Sequence, residues 1–145
     1  MTIDKDTGCI LLPEIDAVIS PLLSRTQFLQ AAAFSAASVT LCSEPWYSYR
    51  LPSIPQSETE LFIVLQFQGE QLLSLHLAHG SARFGTSWAD WTLEQELARQ
   101  AFNEHWLTSD LCLHLGEYSW GDISSIYDDK GGSSFIRVCY DDRNT

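Results

Sequence analysis

The chain has 145 residues, of which 45% are hydrophobic and 12% aromatic, and this composition excludes a disordered chain. A domain of about 150 residues buries roughly 68–70% of the surface of its unfolded chain, so one packed domain is expected. The net charge of −11, from 19 acidic against 8 basic residues, disfavours nucleic acid and anionic membranes as partners. The same charge favours encounter with a basic protein surface.

The N-terminus predicts a cytoplasmic protein. Residues 1–6 contain neither the basic nor the apolar region of a secretory signal, and no later apolar run approaches the ~20 residues of a membrane span. The cysteines include no C-x-x-C pair, which predicts reduced, mostly buried thiols rather than a disulfide framework. They are Cys9, Cys42, Cys112 and Cys139.

The first predicted elements are a short strand and a helix. Residues 8–12 form a brief apolar run closed by Pro13, which predicts an edge strand or an extended lead-in. Ser24 and Gln27 have the spacing of a capping box, in which side chains bond the free N–H groups of a helix start. The Ala-rich segment that follows predicts a first helix as far as Ala37.

Alternating apolar residues predict strands in the middle of the chain. Residues 39–42 and 46–51 form two of them, joined through residues 43–45. The clearest hairpin follows, with its connection at residues 68–70. Its alternating apolar positions are Leu61, Ile63, Leu65 and Phe67 on one strand, and Leu73, Leu75 and Leu77 on the next.

A second helix and a last hairpin complete the predicted fold. Thr92 and Gln95 have capping-box spacing, and the helix continues to about residue 111 without Pro or Gly. Residues 122–127 pair with residues 134–140 through a turn at 128–132. Short turns favour antiparallel pairing, so the expected class is α+β, with a mostly antiparallel sheet of about five to seven short strands and two main helices. The expected polar arc of the second helix is Glu96, Arg99, Asn103 and Asp110.

The sequence offers no recognisable catalytic or metal motif. Neither Ser87 nor Ser119 lies in Gly-x-Ser-x-Gly. His76 and His79 are three residues apart on a predicted strand, which directs them to opposite faces and away from a shared metal ion. Adjacent acids at loops are typical of solvated surface charge. We therefore expect no catalytic residue, cofactor or metal, although an enzyme with an unfamiliar carboxylate or serine site is the less favoured alternative.

Four tryptophans surround the second predicted helix and the strand after it, and two interpretations of them stay open. The first is that all of them fill the core between helix and sheet. The second is that one or two remain exposed as anchors, since Trp is enriched at binding hot spots. The four are Trp88, Trp91, Trp106 and Trp120.

Two segments resemble small immunity-type proteins of bacterial polymorphic toxin systems. The first is residues 84–91, Phe-Gly-Thr-Ser-Trp-Ala-Asp-Trp, which runs into Glu94, Glu96, Leu97 and Arg99. The second is residues 118–121, Tyr-Ser-Trp-Gly, which runs into residues 127–132 and 136–138. The resemblance covers mainly the C-terminal half and carries no catalytic residue. It implies a cytoplasmic α+β protein that binds and neutralises a cognate toxin, commonly a nuclease or another hydrolase.

An acidic inhibitor would cover a basic active-site surface through complementary charge, while aromatic anchors would supply most of the affinity. We therefore expect acids at turns and chain ends, together with aromatic residues of the sheet, to contact the partner. A homodimeric structural or adaptor protein is the alternative. The expected contact residues are Asp128, Asp129, Asp141, Asp142, Trp46, Tyr47 and Tyr49.

Overall fold

The two longest strands follow the most regular apolar alternation in the sequence. A computed structural model describes residues 1–85 and 87–141. Buried and less buried residues alternate along β7 (Glu60–Gln68) and β8 (Gln71–Gly80), which pair as an antiparallel hairpin. Gly69 in the turn has φ 58°, a left-handed conformation that glycine adopts without a Cβ clash. The predicted hairpin is confirmed.

The described residues form two helices and eleven strands, which confirms the α+β class with antiparallel pairing. The strands outnumber the predicted five to seven because five of them have only two or three residues, too few to show alternation. Neither described helix has the length and apolar character needed to cross a membrane. The helices are α1 (Arg25–Gln30) and α2 (Leu93–Ser109), and the other strands are β1 (Thr2–Ile3), β2 (Ile10–Leu12), β3 (Ala17–Ile19), β4 (Ser38–Ser43), β5 (Trp46–Arg50), β6 (Ile54–Pro55), β9 (Gly116–Tyr118), β10 (Gly121–Asp128) and β11 (Ser133–Tyr140).

Eight of these strands form the main sheet. Their order is β4-β5-β7-β8-β11-β10-β9, and β6 pairs with one end of β7. Because the pairings are antiparallel, hairpins link β4 to β5, β7 to β8 and β10 to β11. The predicted strands at 39–42, 46–51, 122–127 and 134–140 therefore match β4, β5, β10 and β11 to within about two residues.

The core lies on one side of this sheet, which we call the inner face. Period-two alternation places the apolar side chains of β7 and β8 there, as predicted, with one exception. The sequence predicts Leu73 inside, but a bulge near Gln66 and Phe67 places Leu72 inside instead. Buried inner-face residues are Leu61, Ile63, Leu65, Phe67, Leu72, Leu75, Leu77, Ile123, Ile136, Val138 and Tyr140.

The N-terminal residues form a second, three-stranded sheet against this core. Its order is β1-β2-β3, so residues 10–12 form a strand, as one of the two predictions for this segment has it, but a central strand and not an edge strand. The Trp120 indole donates to the Lys5 carbonyl at 2.9 Å, and the Tyr140 hydroxyl donates to the Gly8 carbonyl at 2.8 Å. These bonds fasten the small sheet to one end of the main sheet. Burial raises the pKa of Tyr140, so this hydroxyl keeps its proton.

Helix α1 begins as predicted and ends early. Ser24 accepts from the Gln27 amide while the Gln27 side chain accepts from the Ser24 amide, which confirms the capping box. The helix ends at Gln30, and a separate 3-10 turn covers Ala32–Phe34. This break lets Phe28 and Phe34 stack at 4.9 Å between ring centroids, since a continuous helix would turn residues six apart to different sides. Burial of both rings outweighs the helix propensity of the intervening alanines.

Helix α2 lies on the inner face, and part of its expected polar arc points inward. Glu96 and Asn103 are buried and Asp110 is exposed, whereas Leu93 and Leu97 lie on the exposed side. The buried polar groups have partners on the sheet. Asn103 accepts from the backbone amide of His79 at 3.1 Å, and Ser134 donates to the carboxylate of Glu96. Paired polar groups thus replace apolar contacts at these positions.

The opposite side of the main sheet, the outer face, carries the alternate side chains of the same strands. Phe62, Val64, His76 and Arg137 lie on it.

Two of the four cysteines, Cys42 and Cys112, are exposed and the other two are partly buried. The expectation of mostly buried thiols is therefore wrong, because Cys42 lies in the edge strand β4 and Cys112 lies in the loop after α2.

Candidate partner-binding site

The predicted acidic contacts lie at opposite ends of one hairpin. Asp128 and Asp129 are exposed in the turn between β10 and β11. The Asp128 carboxylate accepts from the amides of Lys130 and Gly131, both at 3.1 Å, so it also shapes the turn. Asp141 follows the far end of β11, roughly 25 Å away at about 3.3 Å per residue. Asp142 lies outside the described residues.

The predicted aromatic contacts on β5 differ strongly in exposure. Trp46 is exposed on the outer face, at the end of the sheet away from Asp128. Tyr47 is half-buried beneath the Arg25 guanidinium, which lies 3.7 Å from its ring centroid. Tyr49 is 4% exposed, and its hydroxyl accepts from Arg25 at 2.7 Å. The structure therefore does not bring Trp46, Tyr47 and Tyr49 together with Asp128 and Asp129.

The tryptophans around α2 divide into core and surface. Trp106 and Trp120 are buried, in keeping with a packing role. Trp91 is half-buried. Trp88 is 72% exposed, and no other large apolar side chain of the described residues is exposed to a greater fraction. The second interpretation of these tryptophans, an exposed anchor, therefore has a specific residue in Trp88.

Trp88 stands beside a cleft of about 610 Å³, which we call the Trp88 cleft. Its volume falls within the range of about 300–1,000 Å³ found for ligand pockets. The cleft lies at the end of the sheet where β8 finishes. It is bordered by the β10–β11 turn and by the loop that runs from β8 to α2. Its described lining comprises Arg50, Glu60, Phe62, Gly80, Ser81, Ala82, Phe84, Gly85, Ser87, Trp88, Trp91, Glu96, Arg99, Gly131 and Gly132.

A buried ion pair on α2 holds the loop that forms one wall of the cleft. The Arg99 Nε atom lies 3.7 Å from a carboxylate oxygen of Glu96, whose side chain is 2% exposed. The terminal nitrogen of Arg99 reaches the carbonyls of Phe84 and Gly85, at 3.4 Å each. Charge-assisted contacts of this kind exceed neutral ones in strength. Arg99 therefore fixes the position of the loop relative to α2.

The second wall is held by an indole and a glycine. The Trp91 indole donates to the Gly132 carbonyl at 2.8 Å. Gly132 has φ 62°, and a Cβ there would lie 3.1 Å from both the Trp88 and the Trp91 rings. Only glycine meets both conditions without strain. The turn that carries Asp128 and Asp129 is thus packed against the two tryptophans.

The floor of the cleft continues onto the outer face. The Phe62 ring lies directly over Gly80, where a Cβ would approach it to 2.3 Å. The Arg50 guanidinium lies 4.4 Å from the centroid of the same ring. This stack gives the floor an aromatic surface with a positive edge. Cleft and outer face therefore form one continuous surface.

The Ser87 side chain at the cleft has a structural partner. The Ser87 hydroxyl and amide both bond the Asp90 carboxylate, at 3.3 and 2.9 Å, as in a helix cap rather than an activated nucleophile. Among residues 1–85 and 87–141, no group of three or more His, Cys, Asp or Glu side chains is placed to hold a metal ion.

The histidines of β8 point to opposite faces, as predicted. His79 lies on the inner face, bonded through Nδ1 to the Thr59 hydroxyl at 2.8 Å, and burial lowers its pKa to about 4. His76 lies on the outer face, and burial together with nearby Arg137 lowers its pKa to about 4. Both rings are therefore neutral at pH 7.

Most residues of the cleft carry no sequence signal that predicts their meeting. Arg50 and Phe62 are far from Trp88 in sequence, and only the register of β5, β7 and β8 brings them to it. A signal did exist for Glu96 and Arg99, since both belong to the polar arc expected on the second helix. Trp88 and Trp91 are among the tryptophans singled out around that helix, and Gly131 and Gly132 belong to the predicted turn at 128–132.

No protein-family model, no curated protein and no solved structure matches this chain. Function is therefore inferred from the chain's own residues.

Proposed function

We propose that the chain is an immunity-type protein that binds and neutralises a cognate bacterial toxin through the Trp88 cleft. The observation that carries this proposal is the 72% exposure of Trp88 beside a preformed cleft. Leaving a large indole in water forfeits burial worth roughly 2–3 kcal/mol, which a bound partner would recover. Trp is also among the residues most enriched at binding hot spots.

The two segments that resemble immunity-type proteins meet in this cleft. Phe84, Gly85, Trp88 and Trp91 come from the first segment, and Gly132 comes from the second. The bond from the Trp91 indole to the Gly132 carbonyl joins them. The shared features of the resemblance thus converge on one surface, which supports a binding role for that surface.

The proposed toxin presents a basic surface, as the active site of a nuclease does. The acidic turn at Asp128 and Asp129 borders the cleft, and the net charge of −11 speeds encounter with such a surface. In this proposal the chain acts in the cytoplasm, without a cofactor and without catalysis.

A toxin-domain protein encoded beside this chain's gene would be the partner of the proposal, and binding to such a protein tests it. We expect Trp88→Ala to weaken binding by about 2 kcal/mol or more, roughly thirtyfold in Kd, because the indole is the anchor. Trp46→Ala is the matched control, since Trp46 is also exposed but lies at the other end of the sheet. Calorimetric titration of both variants gives the comparison.

Growth of cells that express the toxin supplies the functional readout. We expect the native chain and Trp46→Ala to restore growth, and Trp88→Ala to restore it less. Toxicity unchanged by the native chain would remove the immunity assignment. Equal binding by the two variants would instead remove the Trp88 cleft as the contact surface.

A second candidate, a homodimeric adaptor, is favoured by strand β4. It forms an edge of the main sheet, all six of its residues are exposed, and none is charged. Val39 and Leu41 are among the exposed apolar side chains. Unprotected edges of this kind pair with other strands. Sedimentation at rising concentration distinguishes a stable dimer from a monomer.

A further inference from the structure

A straight row of side chains crosses the centre of the outer face. Arg50 lies opposite Val64, Val64 lies opposite His76, and His76 lies opposite Arg137. Directly opposite residues on adjacent strands point to the same face. Three strand spacings separate the outer members, so the backbones of Arg50 and Arg137 are about 14 Å apart. We call this row the arginine row.

The rows on either side of the arginine row have distinct chemistry. On one side, Phe62 lies opposite Ala78, and Phe135 lies opposite Ile126, so this row is apolar. On the other side the row is polar and uncharged across β5, β7, β8 and β11. Its members there are Ser48, Gln66, Ser74 and Cys139.

The arginine row is a positive strip within an acidic chain. Neither Arg50 nor Arg137 forms an ion pair with a carboxylate of the described residues. The outer-face acids lie near strand ends or on the edge strand β9, at Glu60, Glu117, Asp122 and Asp128. The centre of the outer face therefore has a charge opposite in sign to the net −11 of the chain.

Stacking contacts hold the row in place before any partner binds. The rings of His76 and Phe135 stack with centroids 4.0 Å apart, and the Arg50 guanidinium lies 4.4 Å from the Phe62 centroid. Because His76 is neutral at pH 7, the charge of the row belongs to the two guanidinium groups. Groups held in place in this way lose less entropy on binding.

We propose that the outer face binds a segment of the partner protein that presents carboxylates to Arg50 and Arg137 and apolar side chains to the row of Phe62, Ala78, Phe135 and Ile126. Arginine pairs well with carboxylates because its planar fork donates two parallel hydrogen bonds. A basic segment would instead meet two uncompensated guanidinium groups.

Charge also argues against a second copy of this chain on the outer face. Two copies packed symmetrically would bring their arginine rows against one another, and like charges at such a contact are unfavourable. That the occupant of the outer face is a protein rests on the proposed function. Arg50 and Phe62 also line the Trp88 cleft, so the two regions are contiguous and within reach of one partner.

Three synthetic peptides of about 12 residues, long enough to span the row, test the sign of the charge without any toxin. They share the same apolar positions and carry Glu, Gln or Lys at the remaining ones. Each is titrated into the ¹⁵N-labelled chain, and affinity is read from the amide shifts of β8 and β11. We expect the Glu peptide to bind about tenfold more tightly than the Lys peptide, although net charge alone favours the reverse.

Charge reversals locate the effect. Arg137→Glu should invert the order of the Glu and Lys peptides. Lys5→Glu, an equal change of charge at an exposed position of the N-terminal segment, should leave the order unchanged. The proposal is overturned if the Lys peptide binds best, if no peptide binds, or if Lys5→Glu has the same effect as Arg137→Glu. Because no toxin is present, these outcomes are independent of the immunity assignment.

Discussion

The two faces of the main sheet use the same residue types for different purposes, and β8 shows the contrast. His79 on the inner face lies between Thr59, Phe102 and Trp106, in a buried polar network under α2. His76 on the outer face stacks on Phe135 beside Arg137, with no ion pair for that arginine among described carboxylates. Polar groups with partners serve stability, whereas charges without partners are available for binding.

Substitutions on the two faces should therefore differ in their effects on stability and on binding. Inner-face polar changes should reduce the free energy of unfolding and affect binding only through folding. Outer-face and cleft changes should affect binding at nearly constant stability. The first class has the larger expected effect because its groups are desolvated and paired.

Glu96→Ala should have the largest effect on stability. It leaves Arg99 partly buried without its carboxylate and removes the acceptor of the Ser134 hydroxyl. Breaking a buried pair in this way costs about 3 kcal/mol or more. Urea unfolding followed by far-ultraviolet circular dichroism measures the loss.

Glu94→Ala is the matched control, because Glu94 is an exposed acid in the same first turn of α2. It should cost less than about 1 kcal/mol, the value of a favourable interaction with the helix dipole. Similar losses for the two variants would contradict the buried network on the inner face.

Acidification should weaken the fold through His79. Its folded-state pKa of about 4 lies below the unfolded value of 6.5, so the unfolded chain binds protons first as the pH falls. Stability from the neutral ring is therefore complete above pH 6.5 and decreases toward pH 4, by up to about 3 kcal/mol. Urea midpoints measured from pH 7.5 to pH 4 give the slope.

His79→Gln should reduce this slope by about half whatever its effect on stability at pH 7, because burial lowers the pKa of His76 to about 4 as well and that ring contributes the rest. His105→Gln, on the exposed side of α2, should leave the slope as it is. A native stability that stays constant between pH 6.5 and pH 4 would show that the buried ring takes up its proton without cost.

Arg50→Gln and Arg137→Gln should have the smallest effects on stability. Both side chains are exposed on the outer face and neither belongs to an ion pair with a described residue, so each change should remain within about 0.5 kcal/mol. Thermal unfolding compares them with the native chain. A loss above about 2 kcal/mol would place the arginines among the groups that hold the fold.

Much of the fold is predictable because the strongest local signals coincide with long elements. The alternation in β7 and β8, the Ser24 capping box and the β10–β11 turn all appear where the sequence places them. Most of the shortest strands were not predicted, because two or three residues are too few to show an alternation of apolar and polar side chains. The inward arc of α2 is equally hidden, because the partners of Glu96 and Asn103 come from distant strands.

The site was less predictable than the fold for a related reason. A sequence shows that Trp88 and Asp128 exist, but only packing decides which large side chains stay exposed and which ends of strands meet. Asp141 and Tyr49 illustrate this, since one lies at the far end of the hairpin and the other is buried. The arginine row depends on three strand registers, which turns and bulges set jointly.

The five indole N–H signals of the ¹⁵N-labelled chain test the proposed contact most directly. They are recorded as a candidate toxin-domain protein, made catalytically inactive, is added. We expect the Trp88 signal to shift or broaden, the Trp91 signal to change in the same way because its ring lies beside Trp88, and the Trp46 signal to remain unchanged. A titration in which the Trp46 signal shifts and the Trp88 signal does not would contradict binding through the Trp88 cleft.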